Sequence, residues 1–180
     1  MFDLPTSVTV SGCEYPIRTD FRVILEIFVM LDDPDLTDAD KTEALLRAFY
    51  VNRPEDPTAA LQAFTDFVDP RHGSQGKKSS ARLIDWQQDF DLMVAPINHI
   101  LGFECRSADY LHWHTFLTAY LEIPPESVFG RVIRIREKLK TGQKLEKWER
   151  LFLRKNRPLI VLPSRLSRSE EEILKEWVKG

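Results

Sequence analysis

Among the residues able to hold a metal or carry a proton, His99, Cys105, His112 and His114 lie nearest one another in sequence. The run His112-Trp113-His114 is the densest of these, but positions i and i+2 of a helix point about 200° apart. Two imidazoles so placed on a helix cannot share one ion. Adding Cys105 and His99 gives four ligands whose spacing matches no usual Cys/His zinc site. The expectation is that His112 or Trp113 covers the core while His114 faces solvent. Asp85 and Asp89 stand at i, i+4, as paired catalytic carboxylates would on one helix face. No histidine or cleft signal accompanies them, so they read as solvated charges. The chain also lacks the glycine-rich phosphate loops, the GxSxG elbow and the HExxH pair. No catalytic site, cofactor or metal is expected.

A second chemistry is electrostatic. Arg131, Arg134 and Lys138 fall on one helical face, and Arg150, Arg154, Lys155 and Arg157 crowd the next segment. Residues 1–69 carry 14 Asp/Glu against 5 Lys/Arg, and residues 131–168 carry 13 Lys/Arg against 3 Glu, so one end is acidic and the other basic. Such a stripe could neutralise phosphates or steer an acidic partner. The isoelectric point near 5.8 and the lack of a nucleic-acid-binding motif weigh against nucleic acid. A nucleic-acid-binding accessory protein using the basic 131–168 region stays as the alternative.

The elements that must position these residues are mostly helices. Val8 and Val10 alternate with Thr9, Ser11-Gly12 makes a tight turn, and Tyr15 and Ile17 alternate after it, which predicts a β-hairpin over 1–18. Thr19 or Asp20 caps a helix bearing Phe21, Ile24, Leu25, Phe28 and Val29. Thr37 with Asp40 reads as a capping box opening a helix with Ala44, Leu45, Ala48 and Phe49. Asp56-Pro57 opens a third, with Leu61, Phe64, Phe67 and Val68. Residues 70–80 hold no apolar side chain and are expected to form a mobile loop. Leu83, Trp86, Phe90, Met93, Val94, Ile97, Ile100 and Leu101 follow at helical spacing. Pro96 should kink or split that helix, and Gly102 should stop it.

Ser107 is the expected cap of the next helix, whose buried set is Leu111, Phe116, Leu117 and Tyr120. After Pro124-Pro125 come a helix with Phe129, Val132, Ile133 and Leu139, a Thr141-Gly142 break, and a helix with Leu145, Trp148, Leu151 and Phe152. Trp86, Phe90 and Trp113 are expected to be buried where the two middle helices meet. Leu159 to Leu162 reads as a short extended piece between prolines. Ser167 with Glu170 caps a terminal helix over 164–180 bearing Ile173, Leu174, Trp177 and Val178. That helix could dock on a partner or close the core of its own chain.

The chain has 180 residues, 43% of them hydrophobic and 29% charged. That composition is globular, and the length predicts a single helical domain over 1–180 with a small N-terminal β-hairpin. Cys13 and Cys105 are too few for a disulfide scaffold. No apolar run approaches the ~20 residues of a membrane span. Met1 to Pro5 has no signal-peptide pattern. The expectation is a protein of the cytoplasm.

Several motifs together resemble a known family. Leu4-Pro5-Thr6-Ser7-Val8 through Gly12, then Tyr15-Pro16-Ile17-Arg18-Thr19-Asp20-Phe21-Arg22, is similar to the start of the bacteriophage gp-fifteen family of siphophages and prophages of Gram-positive bacteria. Asp85-Trp86 with Asp89, Leu111-His112-Trp113 with Phe116, and Phe129 with Ile133-Arg134-Ile135-Arg136 agree as well, from about residue 4 to 140. The resemblance implies a place in the tail morphogenesis module, between a major tail protein and the tape measure. That slot looks like one for a non-enzymatic tail assembly chaperone acting on the tape measure protein in the host bacterial cytoplasm. Other tail proteins are further partners, and self-association stays open. The expected partner-binding residues are Ile173, Leu174, Trp177 and Val178, with Arg131, Arg134 and Lys138 orienting the partner.

Overall fold

The computed structural model describes residues 3–69 and 82–163. The loop expected over 70–80 and the terminal helix with Ile173, Leu174, Trp177 and Val178 lie outside the described residues. The architecture is mainly α with one two-stranded antiparallel hairpin at the N-terminal end. Its residues fall into two compact units: 3–69 with 112–114, and 82–111 with 115–163.

In the first unit, β1 (Ser7–Val10) pairs with β2 (Cys13–Pro16) in the register Val8↔Tyr15 and Val10↔Cys13. Ser11 and Gly12 both take positive φ, 49° and 84°, the twist that a two-residue hairpin loop requires. α1 (Phe21–Leu31) is capped by Asp20, which accepts from the Arg22 amide. α2 (Asp38–Phe49) opens on the Thr37/Asp40 capping box. α3 (Pro57–Val68) opens on Asp56, with proline at its first position. Phe21, Ile24, Ile27, Leu45, Leu46, Phe49 and Phe64 bury together as the core. Ile27 takes the place expected of Val29, which is exposed.

Arg18 closes α2. Its guanidinium donates to the carbonyls of Arg47, Ala48 and Tyr50, the unpaired acceptors at a helix C-terminus. The Tyr50 hydroxyl donates to the Ala60 carbonyl at 2.8 Å, and burial pushes its pKa up to about 12.

The second unit is helical. α4 (Trp86–Leu101) is capped by Asp85 and ends on Gly102 in the left-handed conformation. It runs through Pro96 without a break, against the expected split. Proline removes one amide donor, and the rest of the ladder carries the helix past it. Cys105–Ser107 is a 3-10 turn, so Ser107 caps no α-helix. α5 (Trp113–Leu121) starts six residues later, its first residues belonging to the other unit.

α6 (Val128–Lys140) is capped by Ser127, and α7 (Lys147–Lys155) follows. The extended piece expected after Pro158 is instead a short helix, α8 (Arg157–Ile160). Proline in a first turn costs no hydrogen bond, so Pro158 starts the helix rather than excluding it. Val132, Ile135 and Ile160 form a buried cluster, packed by Leu92, Leu145, Phe152, Leu153 and Leu159. Leu139, expected inside, is exposed.

Candidate interaction surface

The carboxylates that could have been catalytic are structural. Asp85 and Asp89 are buried, not solvated. Asp89 is met by Arg136 fork to fork, Nη1 to Oδ2 at 2.6 Å and Nη2 to Oδ1 at 2.8 Å. The rest of the guanidinium is also spent: Nε donates to the Ile160 carbonyl, Nη1 to Leu83 and Nη2 to Leu159. All five donors of the fork therefore have acceptors. Asp89 Oδ2 also accepts from the Asp85 amide at 2.9 Å, and Asp85 Oδ1 accepts from the Gln88 amide. No oxygen of this set opens to a substrate.

His112 and His114 are committed as well, whereas His99 is exposed on α4. His112 precedes α5, and its Nδ1 accepts the His114 amide at 3.0 Å, as a helix cap does. Its Nε2 faces the Pro5 carbonyl at 2.9 Å, a contact that requires the proton on Nε2. Burial holds the imidazole below its ordinary pKa, which favours this neutral tautomer. His114, expected in solvent, is half-buried; it stacks on Phe67 and its Nε2 meets the Phe67 carbonyl at 2.8 Å.

Trp113 packs edge-on against Phe28, and its indole donates to the Val68 carbonyl. Trp86 is half-buried against Tyr120. The three aromatics expected at one helix junction are therefore divided. Trp113 belongs to the first unit, and Trp86 and Phe90 belong to the second.

The basic face on α6 and α7 is partly neutralised from within. Glu149 is fully buried; its oxygens accept from Lys138 at 2.7 and 2.8 Å and from the Glu146 amide, and its carboxylate pairs with Arg134 Nε at 3.0 Å. Burial alone would raise its carboxyl. Lys138, the Glu146 amide and Arg134 outweigh that and keep it below the usual range. Glu146 joins the same cluster through Arg134 and Trp148. Of the three cations expected to orient a partner, Lys138 is turned inward, Arg134 is half-engaged, and Arg131 is exposed.

What remains outside is a mixed apolar and cationic face. Trp148 and Leu151, expected in the core, are 39% and 44% exposed. Lys147, Arg150 and Arg154 surround them, and the Arg134 guanidinium lies over the Trp148 ring at 5.7 Å. Three shallow concavities run together here. One is lined by Pro125, Glu126, Arg131, Arg134 and Trp148, and another by Glu146, Lys147, Trp148, Arg150, Leu151 and Arg154. The third takes in Leu139, Arg154, Arg157 and Val161. The sequence alone does not flag this face, since Trp148 and Leu151 stand at the helical spacing of core residues and only the structure shows Glu149 buried in their place.

A family model described as Bacteriophage Gp15 protein matches residues 1–162. The chain belongs to that family. The Gp15 match runs past residue 140 and takes in α7 and α8, so the mixed face lies within it. Two of the motif segments named above, around Asp89 and Arg136, meet in the buried pair. No curated protein and no solved structure matches the chain. Among the described residues no helix is long and apolar enough to cross a membrane.

Proposed function

We propose that this bacteriophage protein is a non-enzymatic tail assembly chaperone that binds the tape measure protein in the host cytoplasm before the tail tube closes around it. Membership in the Gp15 family across residues 1–162 carries the reading. Two features of the molecule support it. Asp89, His112 and His114, three of the groups suited to acid–base work, are engaged in internal hydrogen bonds. A face that mixes apolar and cationic side chains stands exposed on α7. Chaperone work needs such a face to hold an amphipathic segment, and charge to stay soluble. The terminal segment with Ile173, Leu174, Trp177 and Val178 would add a second apolar grip.

Co-expression with the cognate tape measure, followed by size-exclusion chromatography, tests this reading. The two chains should co-elute, and the tape measure should be insoluble alone. A version ending at Arg165 should capture less of it. A tape measure that is neither bound nor solubilised overturns the proposal. The exposed Arg131, Lys147, Arg150 and Arg154 beside Trp148 also favour a second reading, single-stranded nucleic acid. Retention on heparin and binding of a single-stranded oligonucleotide, both lost with rising salt, would support that instead.

A further inference from the structure

We infer that the exposed face of α7, centred on Trp148 and Leu151 and ringed by Arg131, Lys147, Arg150, Arg154 and Arg157, is a docking surface for an acidic amphipathic helix of a partner protein. The inference rests on reading the chain as a partner-binding protein, and adds where the partner sits and what chemistry it carries. Trp148 and Leu151 are separated by three residues, so their side chains lie about one turn apart on the same side of α7. They make an apolar floor, and Leu139 and Val161, also exposed, line an adjoining concavity that shares Arg150 and Arg154 with it. Isolated exposed apolar residues are ordinary, but a cluster rimmed by polar groups marks an interaction site.

The rim decides the partner's sign. Among the described residues, Arg131, Lys147, Arg150, Arg154 and Arg157 have no carboxylate within ion-pairing distance. Of the carboxylates nearby, Glu146 and Glu149 are already taken by Arg134 and Lys138, and Glu126 lines the concavity beside Arg131 without pairing with it. A helix laid on the floor with carboxylates at i, i+3 or i+4 on its flanks would supply what this rim lacks. Tryptophan and arginine together at the centre are also the residue types that dominate binding energy at interfaces. The Arg134 guanidinium lies over the Trp148 ring at cation–π distance, so one face of the ring already has a cationic partner.

The test uses full-length protein and a labelled designed peptide of about 18 residues, helical and amphipathic, with glutamates flanking a leucine stripe. A matched peptide with lysine flanks, a single-stranded oligonucleotide and the tape measure serve as further probes. Wild-type protein should bind the acidic peptide by fluorescence anisotropy and ignore the basic one, with affinity falling as salt rises. Trp148→Ala and the double variant Arg150→Glu/Arg154→Glu should each weaken binding at least tenfold. Their circular dichroism should match the wild type, with melting temperatures lower by no more than about 2–4 °C.

Equal binding of the acidic and basic peptides overturns the proposal, as does unchanged binding by both variants. Preference for the oligonucleotide assigns the face to nucleic acid and overturns it. A concentration-dependent dimer in sedimentation, lost in the same variants without peptide binding, assigns the face to a second copy and also overturns it. The tape measure arm separates the two readings. If wild type and variants capture the tape measure equally, the docking surface fails and the chaperone reading stands. If the acidic peptide binds at α7 while wild type captures no tape measure, the surface stands and the chaperone reading fails.

Discussion

Arg136 and Asp89 form a bidentate pair with side chains 2% and 0% exposed. The same guanidinium holds three backbone carbonyls, at Leu83, Leu159 and Ile160. One side chain thus fastens α6 to α4, to the strand-like entry of α4, and to the end of α8. Removing one partner of a buried pair leaves the other charged and unpaired, which costs about 3–5 kcal/mol. Asp89→Leu and Arg136→Met should each lower the unfolding free energy from urea denaturation by that order. The double variant should lose less than the two combined, because neither charge is then stranded. Arg136→Met should still be the costlier single change, since it also strands three carbonyls. Additive losses in the double-mutant cycle would mean the pair does not couple.

His112 makes stability depend on pH in a defined window. Its folded pKa lies below the ordinary 6.5 because burial disfavours the charged ring. Below pH 6.5 the unfolded chain therefore takes up a proton that the folded chain refuses, and stability falls as pH drops toward the folded value. The carboxyls held low by their partners, Glu104, Glu146, Glu149 and Asp56, start from ordinary values of 4.5 or below and act only at more acid pH. Melting temperature should thus decline between pH 6.5 and 5 in the wild type. In His112→Gln that slope should flatten, at a lower overall melting temperature. A variant that keeps the wild-type slope would assign the effect to another group.

Local signals in this chain were legible because they act over a few residues. Ser11-Gly12 dictated the hairpin turn, Thr37 with Asp40 and Asp56-Pro57 dictated two helix starts, and Gly102 a stop. What escaped depended on partners distant in sequence. Asp89 sits four residues before Met93 and eight before Ile97, and Arg136 four after Val132, each charge in the middle of an apolar stripe. Read singly, Asp89 looks like a solvated residue. Read as a pair of opposite charges on two core faces, they point to each other. Glu149 hid the same way, since its burial depends on Lys138 eleven residues earlier. Trp148 was misplaced because an aromatic at helical spacing defaults to the core, while Glu149 had taken that face.

Gly130 stands in the first turn of α6, where a glycine-to-alanine change ordinarily stabilises by about 0.5–1 kcal/mol. Here the sign should reverse. A Cβ at Gly130 would lie 2.6 Å from the Pro125 carbonyl oxygen and 2.7 Å from its Cα. Both are backbone atoms of the Pro124-Pro125 turn, which cannot rotate aside as a side chain can. Gly130→Ala should therefore destabilise by roughly 1–3 kcal/mol, the usual cost of overpacking. Chemical denaturation measures it, and a stabilised variant would show that α6 and the proline turn are not in close contact.

The two tryptophans Trp113 and Trp148 should respond oppositely to truncation. Trp113 is 1% exposed, packs 5.6 Å from Phe28 ring to ring, and donates to the Val68 carbonyl at 3.1 Å. Trp113→Ala removes that packing, opens a cavity and leaves the carbonyl without its donor, a loss of roughly 3–5 kcal/mol. Trp148 keeps much of its ring in water, and its indole bonds only to the exposed Glu146 carboxylate. Trp148→Ala should cost about 1 kcal/mol or less, near the range of ordinary surface changes. Urea midpoints of the two variants decide the matter. A Trp148 loss as large as that of Trp113 would place Trp148 in the core of its unit and remove the apolar floor from the α7 face. A small loss leaves Trp148 free of any structural duty, so that a binding defect in the same variant reports on the partner alone.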